Sequence, residues 1–265
     1  MIFEAPVSFR EAVRQLAARK VMPTSLTSGE LAQLNREVMR TSFTSAQTTL
    51  EGLLDRYKAG VESIINPQQV VREGAPQTVT EGFNPAQLRA FVKDYLKEIS
   101  YAPKEGEEGT IKDLSSDGRI NLVVKTNTEL AQGAGKFVQG NSDPVVVDLY
   151  PAWELVRYED RKVPRDWEQR WNLAAQVAGD SDAARVLAES GRMAALKSSG
   201  IWQALGDGSG GYEDTLGNPF PPFAFNSGMW VDDVDRADAE DLGLLDKGEK
   251  AEAARFDLAS LFGAN

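Results

Sequence analysis

Four groupings of side chains in this 265-residue sequence combine residue types and spacing that chemistry can use. Gly206-Asp207-Gly208-Ser209-Gly210-Gly211 fits the G-x-G-x-x-G pattern that cradles a pyrophosphate at a helix N-terminus. That chemistry needs a strand before the motif, a helix after it and an acid about 20 residues on. Here Tyr212-Glu213-Asp214 and a proline-rich turn follow, so the motif reads as a loop. Asp207, Ser209, Glu213 and Asp214 offer oxygen ligands to a hard cation, but without EF-hand spacing they read as a solvated acidic loop. Asp148, Glu154, Glu159, Asp160 and Asp166 lie among aromatic residues, where two carboxyls with separated pKa values could act as acid and base. Arg157, Arg161, Arg165 and Arg170 interleave with them, which points instead to ion-pair networks holding a hairpin to a helix. Lys197 with Ser190 or Ser198 has the composition of a Ser/Lys hydrolase pair, yet nothing around either serine resembles a nucleophile elbow.

Composition closes most other routes. The chain has no histidine and no cysteine. It therefore lacks imidazole bases, imidazole and thiolate metal ligands, cysteine nucleophiles and disulfides. The expectation is a protein with no catalytic, cofactor-binding or metal-binding residues, and no enzyme. The charge is uneven: residues 1–130 hold 16 basic and 17 acidic side chains, whereas residues 131–265 hold 13 and 23. A net charge of −11 repels phosphate backbones, so no strong nucleic-acid binding is expected. No apolar run approaches the ~20 residues of a membrane span, so no membrane association is expected, and the chain reads as cytoplasmic.

The elements that would position these residues are mainly helical in the first half. Capping boxes at Ser8/Glu11 and Thr27/Glu30 predict two helix starts, with apolar residues at helical spacing behind each. If unbroken, Ser28 to Ile65 would be one helix about 57 Å long; the polar cluster Thr41 to Thr49 would instead divide it in two. Asn84-Pro85 opens a third helix and Ser115-Ser116 a fourth, whose apolar stripe runs from Ile120 to Phe137. After Pro144 the pattern changes. Val145 to Tyr150, Trp153 to Tyr158 and Met193 to Leu196 read as short strands, with helices from Pro164 and over Ser181 to Glu189. Gly206 to Pro222 reads as a long functional or mobile loop, and the acidic tail carries helical stretches near Ala237–Leu242 and Lys250–Phe262.

Asn218 to Gly228 stands apart, with three prolines and three phenylalanines in 11 residues. Prolines fix an extended backbone while aromatic rings favour burial, so the segment reads as a clasp across its own domain with Phe220, Phe223 and Phe225 at least partly buried. A partner-binding edge is the second reading.

The order of these motifs resembles the Mu-F-like family of phage minor head, or head morphogenesis, proteins. The resemblance rests on Phe9-Arg10-Glu11-Ala12-Val13, Pro23-Thr24 and Ser42-Phe43-Thr44-Ser45-Ala46. It continues through Ser115-Ser116-Asp117-Gly118-Arg119-Ile120-Asn121-Leu122, Thr126-Asn127-Thr128, Pro151 to Arg157, Pro164-Arg165-Asp166-Trp167 and Arg170-Trp171, and ends on Gly217 to Gly228. The family's terminal His and Cys are absent; Phe225 and Ser227 stand near their places. The resemblance implies a structural virion component, a minor capsid protein of the head near the portal vertex, acting in head assembly and DNA packaging or ejection. It implies the portal protein and the major capsid protein as partners, with the host cytoplasm as the site of assembly. A neck or head–tail adaptor is the alternative, and an enzyme related to toxin-fused members is a more distant one. The expected fold is α+β and mainly helical: a long N-terminal helical arm (residues 1–112) that could also self-associate, a mixed core with a small sheet (113–230) and an acidic C-terminal tail (231–265). The structural or interaction candidates are Phe43, Leu53, Tyr57, Arg119, Trp153, Arg165, Trp167, Pro222, Phe223 and Phe225.

Overall fold

A computed structural model describes residues 9–34, 36–70, 79–161 and 163–254. The fold is α+β and mainly helical. In chain order it runs α1 (Arg10–Ala18), β1 (Lys20–Val21), α2 (Ser28–Ala32), α3 (Arg36–Thr41), β2 (Ser42–Phe43), α4 (Glu51–Ile65), β3 (Gln68–Val70), β4 (Val79–Glu81) and α5 (Pro85–Glu98). It continues with α6 (Asp117–Ser142), α7 (Pro144–Leu149), β5 (Ala152–Arg157), α8 (Trp167–Ala178), α9 (Ser181–Ser190), β6 (Ala194–Leu196), α10 (Ile201–Asp207), β7 (Met229–Val234) and α11 (Arg236–Asp241). The chain divides into two compact units. The first takes the described residues of Met1–Leu34 and Thr41–Gly135, the second those of Asn35–Arg40 and Lys136–Ala264. The division therefore falls inside α6 and α3.

In the first unit, local signals place most helix starts. Thr27 and Glu30 form the reciprocal capping box, and Asn84 accepts from the amides of Ala86 and Gln87 while Gln87 reaches back. At α1 the expected box involves Ser8, outside the described residues. Arg10 opens the helix behind Phe9, which offers no side-chain cap. Ser28 to Ile65 is not one helix. The polar stretch forms β2, which pairs in parallel with β1, and then a turn at Ala46-Gln47, where Gln47 has φ 53°. Hydroxyl-bearing side chains compete with the helical ladder here: Thr44 donates to the Met22 carbonyl at 2.7 Å and Thr48 to Ala46 at 3.3 Å. Leu53, Leu54, Tyr57 and Val61 of α4 then bury against Leu16, Val92, Ile120, Val123 and Ala131. This core draws on both sides of residue 112. At Gly135 a Cβ would sit 2.5 Å from the Phe9 ring, so glycine lets α1 and α6 approach.

The second unit is organised on a three-stranded antiparallel sheet of order β6-β5-β7. Its register pairs Ala152 with Val234 at one end and Arg157 with Met229 at the other. Residues 145–149, expected as a strand, form α7 instead. Asp143 caps the Val145 amide at 2.8 Å and Pro144 takes the first helical position, a start signal that outweighs the β-branched run. The strand expected from Trp153, the two helices after Pro164 and the strand at Ala194–Leu196 are where the pattern put them. The tail from residue 231 contributes most of β7 and all of α11. Residues 251–254 have no regular structure, and the rest of the helix expected over Lys250–Phe262 lies outside the described residues.

Candidate functional site

The second unit places most of the singled-out residues around one aromatic chain. Phe220 lies 5.7 Å from Phe137, Phe137 lies 5.7 Å from Trp153, and Trp153 lies 5.6 Å from Trp202. Trp202 in turn meets Trp171 at 5.4 Å and stacks on Phe223 at 6.1 Å. All six rings are buried. Three indole N–H groups find acceptors: Trp153 donates to Asp233 at 2.9 Å, Trp171 to the Ala183 carbonyl at 3.0 Å and Trp202 to the Leu196 carbonyl at 2.8 Å. The buried Trp167 indole has none.

The clasp is ordered. The Leu216 amide donates to the Phe223 carbonyl, the Phe225 amide to Asp214 and the Gly217 amide to Gly206. A Cβ at Gly206 would lie 1.7 Å from the Asn218 carbonyl oxygen. The first glycine of the G-x-G-x-x-G pattern thus serves close packing at the end of α10, with a helix before the motif where a nucleotide site has a strand. Phe223 holds φ 54°, a strained backbone for a bulky residue, and its ring is fully buried. Phe225 is the least covered of the three rings, 41% exposed. The 17-residue loop is a packed segment.

Two arginines of the expected network fasten this clasp, through a partner distant in sequence. Arg170 grips Asp214 with two hydrogen bonds of 2.8 and 2.9 Å, between the rings of Trp167 and Tyr212. Arg165 reaches the same carboxylate at 2.9 Å and donates to the carbonyls of Phe225 (2.7 Å) and Asn226 (3.2 Å). Burial, helped by the neighbouring Arg170, Arg161 and Arg157, outweighs Asp214 and holds the Arg165 guanidinium below its usual pKa. Asp214, read from sequence as part of a solvated acidic loop, is a buttress. Among the described residues no three of His, Cys, Asp and Glu converge to hold a metal ion.

Three of the carboxylates among the aromatic residues, Asp148, Glu154 and Glu159, form ion pairs. Glu154 and Asp238 share Arg192, with hydrogen bonds between 2.6 and 2.9 Å. Asp148 pairs with Arg236, Glu159 with Arg161 at 2.8 Å, and Asp166 caps α8. The Arg192 hydrogen bond holds the Asp238 carboxyl below its ordinary range. Lys197, considered only beside a serine, is fully buried. Its ammonium lies 3.3 Å from Asp233, donates to the Gly140 carbonyl and sits 5.3 Å over the Trp153 ring. Lys136 pairs with the other oxygen of Asp233. Burial pushes Lys197 down, with Asp233 opposing. Burial pushes Asp233 up, but Lys136 and Lys197 together keep it below the carboxylate range. Ser190 is occupied with the Val186 carbonyl. The arrangement locks carboxylates as anions and joins elements.

The remaining candidates belong to the first unit. Phe43, Leu53 and Tyr57 are core residues, and burial raises the Tyr57 phenol well above its usual pKa. Arg119 is buried and donates to Ser45 at 2.6 Å, Thr48 at 3.2 Å and the Ala46 carbonyl. Of the ten candidates only Arg165 and Phe225 reach the surface; the other eight hold the interior. The pairings of Lys197 and Lys136 with Asp233, of Asp214 with Arg170 and of Arg192 with Glu154 escaped sequence reasoning because the partners lie 36 to 97 residues apart, and no local spacing marks them.

Against this geometry stand the comparisons with known proteins. The chain is similar to a protein named "Putative capsid assembly protein F" from Escherichia phage Mu, with 26% identity over 111 residues. The aligned part is 40% of this chain and 25% of that protein, so the chain matches about a quarter of the relative's length. No family model matches, and no solved structure matches.

Proposed function

We propose that this protein is a structural component of a phage head, a minor capsid protein at the portal vertex that acts in head assembly and in DNA packaging or ejection. The observation that carries this reading is the similarity to the phage Mu protein named for capsid assembly. A non-enzymatic role fits a chain without histidine or cysteine whose acid clusters are engaged in arginine and lysine pairs. The portal protein and the major capsid protein are the proposed partners, and the virion head, reached from the host cytoplasm, is the proposed location. The first third is proposed as the attachment segment. Because its buried residues form half of one core, surface substitutions on α1 and α4 test it better than truncation, which would bare the apolar faces of α5 and α6.

The test is to tag the protein in the phage that encodes it, purify particles and reconstruct them without imposed symmetry. A few copies at one vertex are expected, with heads failing to form or fill when the gene is deleted. Normal filled heads lacking the protein would overturn the reading.

A further inference from the structure

We propose that the uncovered half of the second unit's sheet is a docking surface for an arginine of a basic partner protein, its guanidinium stacked on Trp230 and paired with Asp232. Strand alternation sorts the sheet into two faces. Trp153, Leu155, Val231 and Asp233 point to one, where Trp153 meets Phe137 of α6 and Asp233 meets Lys136. Ala152, Glu154 and Val156 of β5 point to the other, with Val234, Asp232 and Trp230 of β7. Helices cover one end of that second face, where Ala152 and Val234 pack with Val186 of α9 and Ala239 of α11. At the far end Val156 and Trp230, partners in the register, are half-buried, and Asp232 is exposed. Tyr158, just past the strand and 52% exposed, sets its ring edge-on to Trp230 at 6.2 Å.

Two features point to the occupant. Trp230 differs from the other four tryptophans, which are buried; an indole left partly in water is a residue type enriched at interface centres. The charge beside it is negative. Glu154 and Asp238 share the guanidinium of Arg192, while Asp232, opposite Glu154 in the register, makes no ion pair among the described residues. Three carboxylates thus stand against one cation on this face. Arg157, exposed at the same end, alternates to the other face. Residues 131–265 hold 13 basic and 23 acidic side chains, so the region attracts a basic partner and repels a copy of itself. Two residues along a strand span about 6.8 Å, which lets one group lie over the Trp230 ring and still reach the Asp232 carboxylate. Arginine suits both contacts better than lysine, because its planar fork stacks on an indole while its N–H groups engage a carboxylate.

The test uses the full chain and a capped Gly-Arg-Gly-Arg-Gly peptide at low salt. Trp230 is the tryptophan that water reaches, so acrylamide quenching of the chain's fluorescence reports on it. The peptide is expected to shield Trp230 from acrylamide in a saturable way, and a Gly-Lys-Gly-Lys-Gly peptide to do so with at least about twofold lower affinity. Asp232→Asn, at an exposed position, should weaken binding about two- to fivefold with unchanged melting. Asp94→Asn makes the same change in net charge on α5 of the first unit and should leave binding as it is. Should Asp232→Asn lower the melting temperature, Tyr158→Ala replaces it and is expected to weaken binding at least about twofold, since the ring edge that orients the indole is gone. No shielding of Trp230 at millimolar peptide, equal binding of the lysine peptide, or equal weakening by Asp94→Asn and Asp232→Asn would each overturn the docking surface. These outcomes bear on the sheet face alone and leave the role in the head to its own test.

Discussion

The two units bury cations in opposite ways. In the first, Arg19 is almost fully enclosed and pairs with no carboxylate among the described residues: its Nε donates to the Ser42 carbonyl at 2.8 Å, its guanidinium lies over the Phe43 ring, and burial lowers its pKa to about 10. Arg119 relies on hydroxyls and a carbonyl. In the second unit the buried Lys197 and Arg170 each meet a carboxylate. The cores differ in the same sense, with α4 presenting mostly aliphatic side chains and the second unit a chain of tryptophans and phenylalanines drawn from helices, a loop and one strand. Neutral acceptors leave a cation's desolvation only partly offset, so in the first unit arginine is tolerated for the shape and hydrogen bonds it brings. In the second, each pair ties together elements far apart in sequence, so losing one partner strands the other.

Breaking the aromatic core should have the largest effect. Phe223→Ala is expected to cost about 3 to 5 kcal/mol, read by denaturant unfolding, because a fully buried ring stacked on Trp202 leaves a cavity. A cost below about 1 kcal/mol would mean that the clasp does not hold the unit together. Next is Asp233→Ala, which leaves Lys197 buried without a carboxylate. The expected loss is about 2 to 3 kcal/mol, less than for a fully enclosed pair because Asp233 is one-third exposed. The same residue gives a pH signature. Its carboxyl titrates below the ordinary carboxylate range when folded, so its stabilisation is complete above that range and fades as pH falls through the folded value. Asp233→Asn should flatten the acid limb of a stability-versus-pH curve, and an unchanged limb would remove this pair from the comparison.

Arg19→Met tests the other side of the comparison. With no carboxylate among the described residues left behind, the change should stay within about 1 kcal/mol and could stabilise. A loss as large as that of Asp233→Ala would show that neutral acceptors hold a buried cation as well as a carboxylate does. The smallest effect is expected of Phe225→Ala, within about 0.5 kcal/mol by thermal unfolding, since the ring stands at the surface. Together with Phe223→Ala it divides the Pro-Phe segment into a part that folds the unit and a part that stands at the surface.

Much of this was decided locally. Capping side chains and proline at the first helical position mark α2, α5 and α8 because those signals act within four residues. They reach as far as α7, where the same Asp-Pro start was present and a β-branched run concealed it. The absence of histidine and cysteine, and with it the range of available chemistry, also belongs to the sequence alone. Tertiary structure decided what each polar residue does. Asp214 became a buttress for two arginines, Lys197 a buried cation and Asp233 its counterion, because a charge leaving water takes whichever partner the fold brings within about 3 Å. It also separated Phe223 from Phe225, two residues apart in one motif. At Phe223 the ring could reach Trp202, and at Phe225 the backbone, held by Asp214 and Arg165, turns the side chain to solvent.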